Sequence, residues 1–412
     1  MGNQLGRRAA LRAGLVAMAS PVALGLAQQP VRSVRAFRLI EMAGLRRFGF
    51  PVHTIIPDAF EGRNFRLLRN GRSIPAQFRV VKGATGRDET HLDFIASPEP
   101  LEVGQYQVLF GREIEPGPEP KDGLSLQERD GHYLVILGGT TTFEIDRSST
   151  NFLRSVGSAR LPFLDELAGG LRILTNGVLK PPSSPESGQS IIEVTRHGPM
   201  AVGFRSVQSW SDSSKIRLEL TIPSSKSWIE VIATIDDPGG KVEGLQFDLD
   251  LKIEGSPTLV DLGAGSTVYG QIKDDERMEM TAELAIGNPD RTSWIVRKGR
   301  GSAPDILATS TAQSPQSPEG WAHVMDNRRC SALGIAQFGN SGARDLISVE
   351  ANGRTRILRK YALPKTTPPP GSKSLTFWLH FVPMPVQVGA ATSPQSMMAP
   401  LLVEWDRPPH SL

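Results

Sequence analysis

A run of side chains that could bind and act on a sugar lies between residues 320 and 330. It contains a tryptophan, a histidine, an acid, an amide and two arginines within nine residues. Trp321 could stack on a pyranose ring with Asn327 beside it, and Arg328 or Arg329 could hold a carboxylate at two points. The run therefore suits an anionic sugar. A hairpin whose charges are simply solvated fits the same residues, and the sequence leaves both interpretations open.

Three side chains are candidates for proton transfer. His197 follows the predicted strand SIIEVT in the tetrapeptide TRHG, where Arg196 is a candidate for substrate binding. Histidine titrates near neutral pH, so His197 or His323 could act as a general base. Tyr269 could serve as acid or base in a β-elimination. The alternatives are a histidine that only caps a strand and a tyrosine that is buried in the core.

Other chemistries are not supported by the sequence. None of the seven histidines has the helical ligand spacing of a metal site, and no glycine-rich phosphate loop or G-x-S-x-G motif is found. Asp165 and Glu166 are adjacent, so on a strand they would point to opposite faces, unlike a glycosidase pair. Cys330 lacks the local sequence of a nucleophile and is the only cysteine, so no internal disulfide can form. We therefore predict no metal and no cofactor.

The first 27 residues have the features of a twin-arginine-type signal peptide. Arg7-Arg8 precedes a short apolar run, and cleavage after Ala27 is plausible. This run is too short to span a bilayer, so no stable membrane span is expected. With Arg12, the segment holds three arginines and no acid, which is the whole excess of 46 basic over 43 acidic residues. The mature chain therefore has equal numbers of basic and acidic residues, which argues against nucleic-acid binding. The signal peptide predicts that the mature chain is located in the periplasm or outside the cell.

Alternating apolar and polar residues predict an all-β fold. Residues 216–222 and 375–381 each place every second side chain on an apolar face, as antiparallel strands do. Asn70-Gly71 and Asn352-Gly353 separate such runs and predict hairpins. No amphipathic helix longer than about two turns is evident after the signal segment.

One linker divides the predicted strands into two domains. Residues 113–123 contain three prolines and three acids and lack apolar spacing. We predict a small β-barrel domain over residues 32–115 and a large antiparallel β-sandwich domain over residues 124–405.

The order of several segments resembles the YetA-like family of exo-acting rhamnogalacturonan lyases. The segments are GLRRFGFPVHTIIP, EVTRHGPMAVGFRSVQSW, WIEVIATID, GWAHVMDNRRCSALGIAQF and LTFWLHF, spread over about residues 35–385. The resemblance implies a RIFT-type barrel, then a mutarotase-like supersandwich, then an α/α toroid. After Phe381 too few residues follow to build a toroid, so we expect the first two domains only. The site would then lie on the sandwich itself.

These observations together predict an exported carbohydrate-active protein, polysaccharide lyase-like, that cleaves a uronate-containing glycan by β-elimination. Arg328 or Arg329 would neutralise the uronate carboxylate, and His323, His197 or Tyr269 would be the base. The partner is an acidic polysaccharide or oligosaccharide. The alternative is a non-catalytic glycan-binding or structural β-sandwich module. The lyase hypothesis requires these side chains to converge on one concave face.

Overall fold

The computed structural model describes residues 33–57, 64–83, 86–148, 151–158, 160–164, 169–183, 192–210, 214–285, 288–310, 317–340, 342–361, 371–385 and 393–406. The proposed signal peptide and the Asp165-Glu166 pair lie outside these residues. All strand pairs in the described part of the chain are antiparallel, and the predicted all-β fold is confirmed. No helix in these ranges is long and apolar enough to cross a bilayer.

Eight strands form what we call the small unit, numbered here with all others in chain order. They are β1 (Ser33–Ile40), β2 (Phe50–Ile56), β3 (Phe65–Arg69), β4 (Arg72–Ile74), β5 (Ala76–Lys82), β6 (Asp88–Ala96), β7 (Val103–Phe110) and β30 (Leu402–Trp405). They pair as a five-stranded sheet, β30-β1-β7-β3-β4, and a three-stranded sheet, β2-β6-β5. These strands hydrogen-bond as two separate sheets, so the closed barrel stays a prediction.

The large unit contains three sheets. Its five-stranded sheet has β8 (Leu124–Arg129), β9 (His132–Leu137), β10 (Thr141–Asp146), β11 (Leu153–Ser158) and β12 (Leu161–Pro162). Its eight-stranded sheet has β13 (Gly170–Thr175), β14 (Val178–Lys180), β19 (Gly244–Asp250), β22 (Arg277–Ala285), β23 (Asn288–Gly299), β24 (Asp305–Thr309), β27 (Arg344–Glu350) and β28 (Arg354–Lys360). Its nine-stranded sheet has β15 (Ile192–Arg196), β16 (Ala201–Ser209), β17 (Lys215–Pro223), β18 (Trp228–Asp237), β20 (Thr258–Gly263), β21 (Thr267–Ile272), β25 (Trp321–Met325), β26 (Arg329–Ile335) and β29 (Gly371–Pro383).

The nine-stranded sheet has the order β15-β16-β17-β18-β29-β26-β25-β20-β21 and packs one face on the core of the large unit. On β17, Ile216 and Leu218 are fully buried in that core, and each such side chain stabilises the fold by about 1.5–3 kcal/mol. The alternate side chains, such as Glu219, point to the opposite face, which we call the outer face. The small unit covers part of the outer face.

The predicted hairpin turns are confirmed. Asn70 and Gly71 join β3 to β4 with positive φ values of 52° and 75°. Both central residues of a type I′ turn need such values, which Asn and Gly adopt most easily. Gly353 turns β27 into β28 with a φ of 90°.

The end of the chain returns to the small unit. Strand β30 pairs with β1, where Trp405 lies opposite Phe37, although the sequence placed residues through 405 in the sandwich. A four-residue strand carries too little pattern to show which sheet it joins. Before it, helix α1 (Pro394–Met398) is held by Arg47, whose Nη1 donates to the Ser396 carbonyl at 2.5 Å. The segment between α1 and β30 therefore borders the gap between the two units.

Candidate functional site

A cavity of about 350 Å³ lies between the small unit and the outer face of the nine-stranded sheet. We call it the inter-unit pocket. Its wall includes Val52, Asp93, Arg196, Glu230, Trp378 and Leu401. Small-molecule sites commonly have this size and combine apolar walls with a few polar groups.

Glu230 is one of two acids of the outer face that line the pocket. It lies on β18 between Thr221 and Trp378 on the neighbouring strands and is half-buried. Among the described residues, no side chain or backbone group hydrogen-bonds to its carboxyl. Burial raises the pKa of Glu230, and the charge of Arg196 offsets this only in part. The environment therefore favours the protonated form, which can donate a proton.

Asp93 stands on the opposite wall, on β6, and is surrounded by cations. Its Oδ1 lies 2.8 Å from His53 Nδ1 and 3.3 Å from Arg196 Nη1, and its Oδ2 lies 3.8 Å from Arg79 Nε. Burial alone would raise the pKa of Asp93, but the hydrogen bond from His53 and the charge of Arg196 lower it. Glu230 and Asp93 thus have pKa values shifted in opposite directions across one cavity.

Local backbone structure directs Arg196 into the pocket. The pairing of β15 with β16 shifts register between Val194 and Arg196, and such a bulge re-aims a side chain. Arg196 lies opposite Gly203, where an added Cβ would come within 2.9 Å of the Arg196 Cγ. The missing side chain at Gly203 therefore leaves room for the arginine stem to cross the sheet.

A third acidic side chain lines the pocket, on β17. Glu219 lies opposite Ile232, so it is the diagonal neighbour of Glu230 on the same face. The Cα atoms of such neighbours are about 7 Å apart. The Glu219 Oε1 lies 3.7 Å from Arg205 Nε and 4.0 Å from Arg217 Nε. The pocket therefore combines an acid whose pKa is raised, two ion-paired carboxylates and an arginine.

The predicted catalytic residues converge only in part: His323 and Tyr269 flank Asp261 on neighbouring strands, whereas His197 lies elsewhere. His197 is exposed beyond the end of β15 and does not line the pocket, although Arg196 does. Tyr269 lies on β21, at the opposite edge of the sheet, which is roughly 38 Å away at about 4.8 Å per strand. The expectation that these two share one site is wrong. The core alternative for Tyr269 is also wrong, since this residue is 74% exposed.

His323 and Trp321 lie on β25, away from the pocket. His323 Nδ1 is 3.5 Å from the Asp261 carboxylate, which in turn lies opposite Tyr269. Trp321 is buried, donates from Nε1 to Glu319, and its ring occupies the space that a side chain at residue 263 would need. The indole is therefore a packing element with no free face for a sugar.

The two arginines that follow β25 differ in burial and in contacts. Arg329 is 1% exposed and donates to Asp326 at 2.8 Å, to Glu254 at 2.7 Å and to the Pro162 carbonyl at 2.7 Å. Its predicted role in substrate binding is wrong because its guanidinium is buried and bonded to the protein. Arg328 and Asn327 are exposed, and Arg328 pairs with Glu254.

Replacing these arginines one at a time should give very different stabilities. Arg329→Met leaves the buried Asp326 carboxylate without its cation and is expected to cost about 3 kcal/mol of unfolding free energy. Arg328→Met, the matched control, removes an exposed ion pair and should cost less than about 0.5 kcal/mol. Urea denaturation measures both. Equal losses would contradict the structural role of Arg329.

Metal-binding geometry is not found in the described ranges: no three His, Cys, Asp or Glu side chains there are grouped to hold an ion. Among the described histidines, His380 is buried. Burial lowers the pKa of His380 to about 3, with the charges of Lys226 and His323 adding to the effect. His380 is therefore a neutral packing residue behind Trp228.

No family model and no curated protein matches the chain. Among solved structures, it is similar to a protein in the glycosyl hydrolase family 38 from Enterococcus faecalis, with a TM-score of 0.56 and 10% identity. The alignment covers 91% of this chain and 47% of that one, so the chain spans about half the length of that structure. A galactose mutarotase-like protein from Lactobacillus casei aligns with a TM-score of 0.32 and 11% identity over 63% of this chain and 100% of its own. The match to the first of these structures shows similarity of fold alone, and the YetA-like resemblance stays a prediction.

Proposed function

We propose that this chain is an exported carbohydrate-active protein whose glycan binds in the inter-unit pocket. The observation that carries the proposal is the placement of Glu230, Glu219 and Arg196 around one cavity of ligand size. The glycosyl hydrolase family 38 name of a structure with similar fold supports a carbohydrate as the ligand. The proposal of export rests on Arg7-Arg8. Changing both arginines to lysine should keep the protein inside the cell, and cell fractionation tests this.

The reaction we propose is β-elimination at a uronate. Arg196 binds the carboxylate and makes the adjacent C5–H more acidic. Glu219 removes the C5 proton, the C4–C5 double bond forms, and the bond from C4 to the leaving oxygen breaks. Glu230 gives its proton to that oxygen. Asp93 holds Arg196 in place.

Glycoside hydrolysis is the second candidate, because Glu219 and Glu230 place two carboxyl groups on one face of the pocket. Inverting glycosidases use two carboxyl groups on opposite sides of the bond that they cleave. In this case Glu230 would protonate the leaving oxygen and Glu219 would activate a water molecule.

One assay separates these functions. The mature protein is incubated with uronate-containing and neutral polysaccharides, and both ultraviolet absorbance of an unsaturated product and release of reducing ends are followed. Absorbance together with reducing ends indicates the lyase, and reducing ends alone indicate the hydrolase. Glycan binding without product indicates a non-catalytic binding module. If no polysaccharide of the panel is bound or converted to product, the proposal is overturned.

A further inference from the structure

We propose that the inter-unit pocket holds its ligand by a carboxylate, and that His53 carries protons on both ring nitrogens and so supplies part of the positive charge that attracts it. This inference rests on the proposed function only where the carboxylate is taken to belong to a sugar. It follows from the direction of the hydrogen bonds in one cluster, which we call the histidine pair, His53 and His91.

His91 has a fixed tautomer. Arg79 Nη2 lies 3.0 Å from His91 Nδ1, and a guanidinium can only donate, so this nitrogen is an acceptor. Burial lowers the pKa of His91 to about 4, and the charges of Arg79 and His53 add to the effect. Near neutral pH the ring therefore has one proton, on Nε2. That nitrogen lies 3.6 Å from a Glu89 carboxylate oxygen, which suits a donor.

His53 faces an acceptor on each side. Its Nδ1 lies 2.8 Å from the Asp93 carboxylate, so Nδ1 carries a proton. Its Nε2 lies 3.3 Å from His91 Nδ1, which is already an acceptor. Two lone pairs at this distance would repel each other, whereas a proton on His53 Nε2 removes this repulsion and shares the single lone pair of His91 Nδ1 with the Arg79 donor. The geometry thus favours the doubly protonated ring.

The cluster then has more positive than negative groups. His53, Arg79 and Arg196 stand against two carboxylates, that of Asp93, whose Oδ2 has no hydrogen-bond partner, and that of Glu89 beside His91. Across the cavity, Glu230 is held towards its neutral form by burial. The other acid of the wall, Glu219, is ion-paired with arginines of its own sheet.

A ligand carboxylate would balance this excess charge. His53 and Arg196 both line the cavity, while Arg79 and His91 stand behind them. Arg196 has five N–H groups, of which one nitrogen bonds Asp93, so donors remain for a ligand. His53 has both nitrogens bonded and acts through its charge. A neutral sugar would leave the excess charge unbalanced.

The test uses the full chain with isotopically labelled histidine, observed by nitrogen NMR near neutral pH. The His53→Gln variant assigns the signal of that ring. We expect both His53 nitrogens to have the shifts of protonated nitrogens and His91 those of a neutral ring. A singly protonated His53 ring would overturn the inference.

Sodium acetate, a carboxylate without a sugar, is the probe for the site. Acetate should shift the His53 signals, and sodium chloride at equal ionic strength should not. Its affinity should fall at least tenfold in Arg196→Gln. Arg300→Gln, at an exposed arginine paired with Asp274, is the matched control and should bind as the wild type does. Equal effects of acetate and chloride would overturn the carboxylate site.

The outcomes separate this inference from the proposed function. Acetate binding without binding or cleavage of any polysaccharide leaves the carboxylate site in place and rejects the glycan function. Turnover of a glycan by a protein whose His53 ring is neutral supports the glycan function and rejects this inference. Galacturonate and galactose, which differ at the carboxylate, then serve as sugar probes, and galacturonate should bind at least tenfold more tightly.

Discussion

Glu230→Gln is expected to remove turnover and leave ligand binding nearly intact. Glutamine keeps the shape and the polarity of the side chain but has no proton to give to the leaving oxygen. General acid catalysis by one side chain contributes about a hundred- to ten-thousand-fold in rate, so kcat should fall by that factor. Steady-state kinetics gives kcat, and calorimetry with the same glycan gives the dissociation constant.

The same variant should become more stable than the wild type at high pH. Burial raises the pKa of Glu230, so its neutral form is the one that the fold favours. The stability associated with that form is present at low pH and is lost as pH rises through the raised pKa. Glutamine cannot ionise, so the two proteins should be equally stable in acid, diverge as pH rises above the ordinary glutamate pKa of about 4.3, and differ by a constant amount above the raised pKa. Urea denaturation across a pH series measures the difference.

Glu283→Gln is the matched control for both effects. Glu283 lies on β22 in the other large sheet, is partly exposed and faces Arg344 at 3.8 Å. This change should alter neither kcat nor the dependence of stability on pH. If Glu230→Gln lowers kcat no more than this control does, Glu230 is not the proton donor.

Local pattern was enough to predict the strands but not their partners in space. Alternation over residues 216–222 correctly separated the buried face of β17 from its other face. Asn-Gly pairs marked turns because positive φ is a property of those residues themselves. The destination of β30 depends instead on a pairing with the first strand of the chain, and no local property of four residues encodes it.

The candidate site was missed for the same reason. In WIEVIATI, Glu230 occupies an outward position of a regular alternation, which is also how a solvated strand face looks. Only the small unit, packed over that face, buries it. Arg196, which the sequence places at a strand end, does line the pocket, and its role in binding stays a prediction. Trp321 was selected for its residue type, but a glycine on the neighbouring strand gives its ring a packing site.

Asp93→Asn is expected to cost about 3 kcal/mol of unfolding free energy, at the low end of the range for breaking a buried ion pair. The low end applies because the His53 ring is 35% exposed and solvent screens its share. Asparagine keeps the shape of aspartate but leaves Arg79 and Arg196 without the buried carboxylate between them. Urea denaturation near neutral pH measures the loss, and Asp274→Asn, an exposed acid, should change stability by less than about 0.5 kcal/mol.

The loss of stability at low pH shows whether the effect of Asp93→Asn is due to the charge of Asp93. The cations around Asp93 lower its pKa, so its ionised form is the one that the fold stabilises. That stabilisation is complete above the ordinary aspartate pKa of about 4 and is lost as pH falls through the lowered value. The wild type should therefore lose stability in acid more steeply than Asp93→Asn, and the two curves should approach each other at the lowest pH. Parallel curves would mean that Asp93 acts by packing rather than by charge, and that the cations of the pocket do not depend on it.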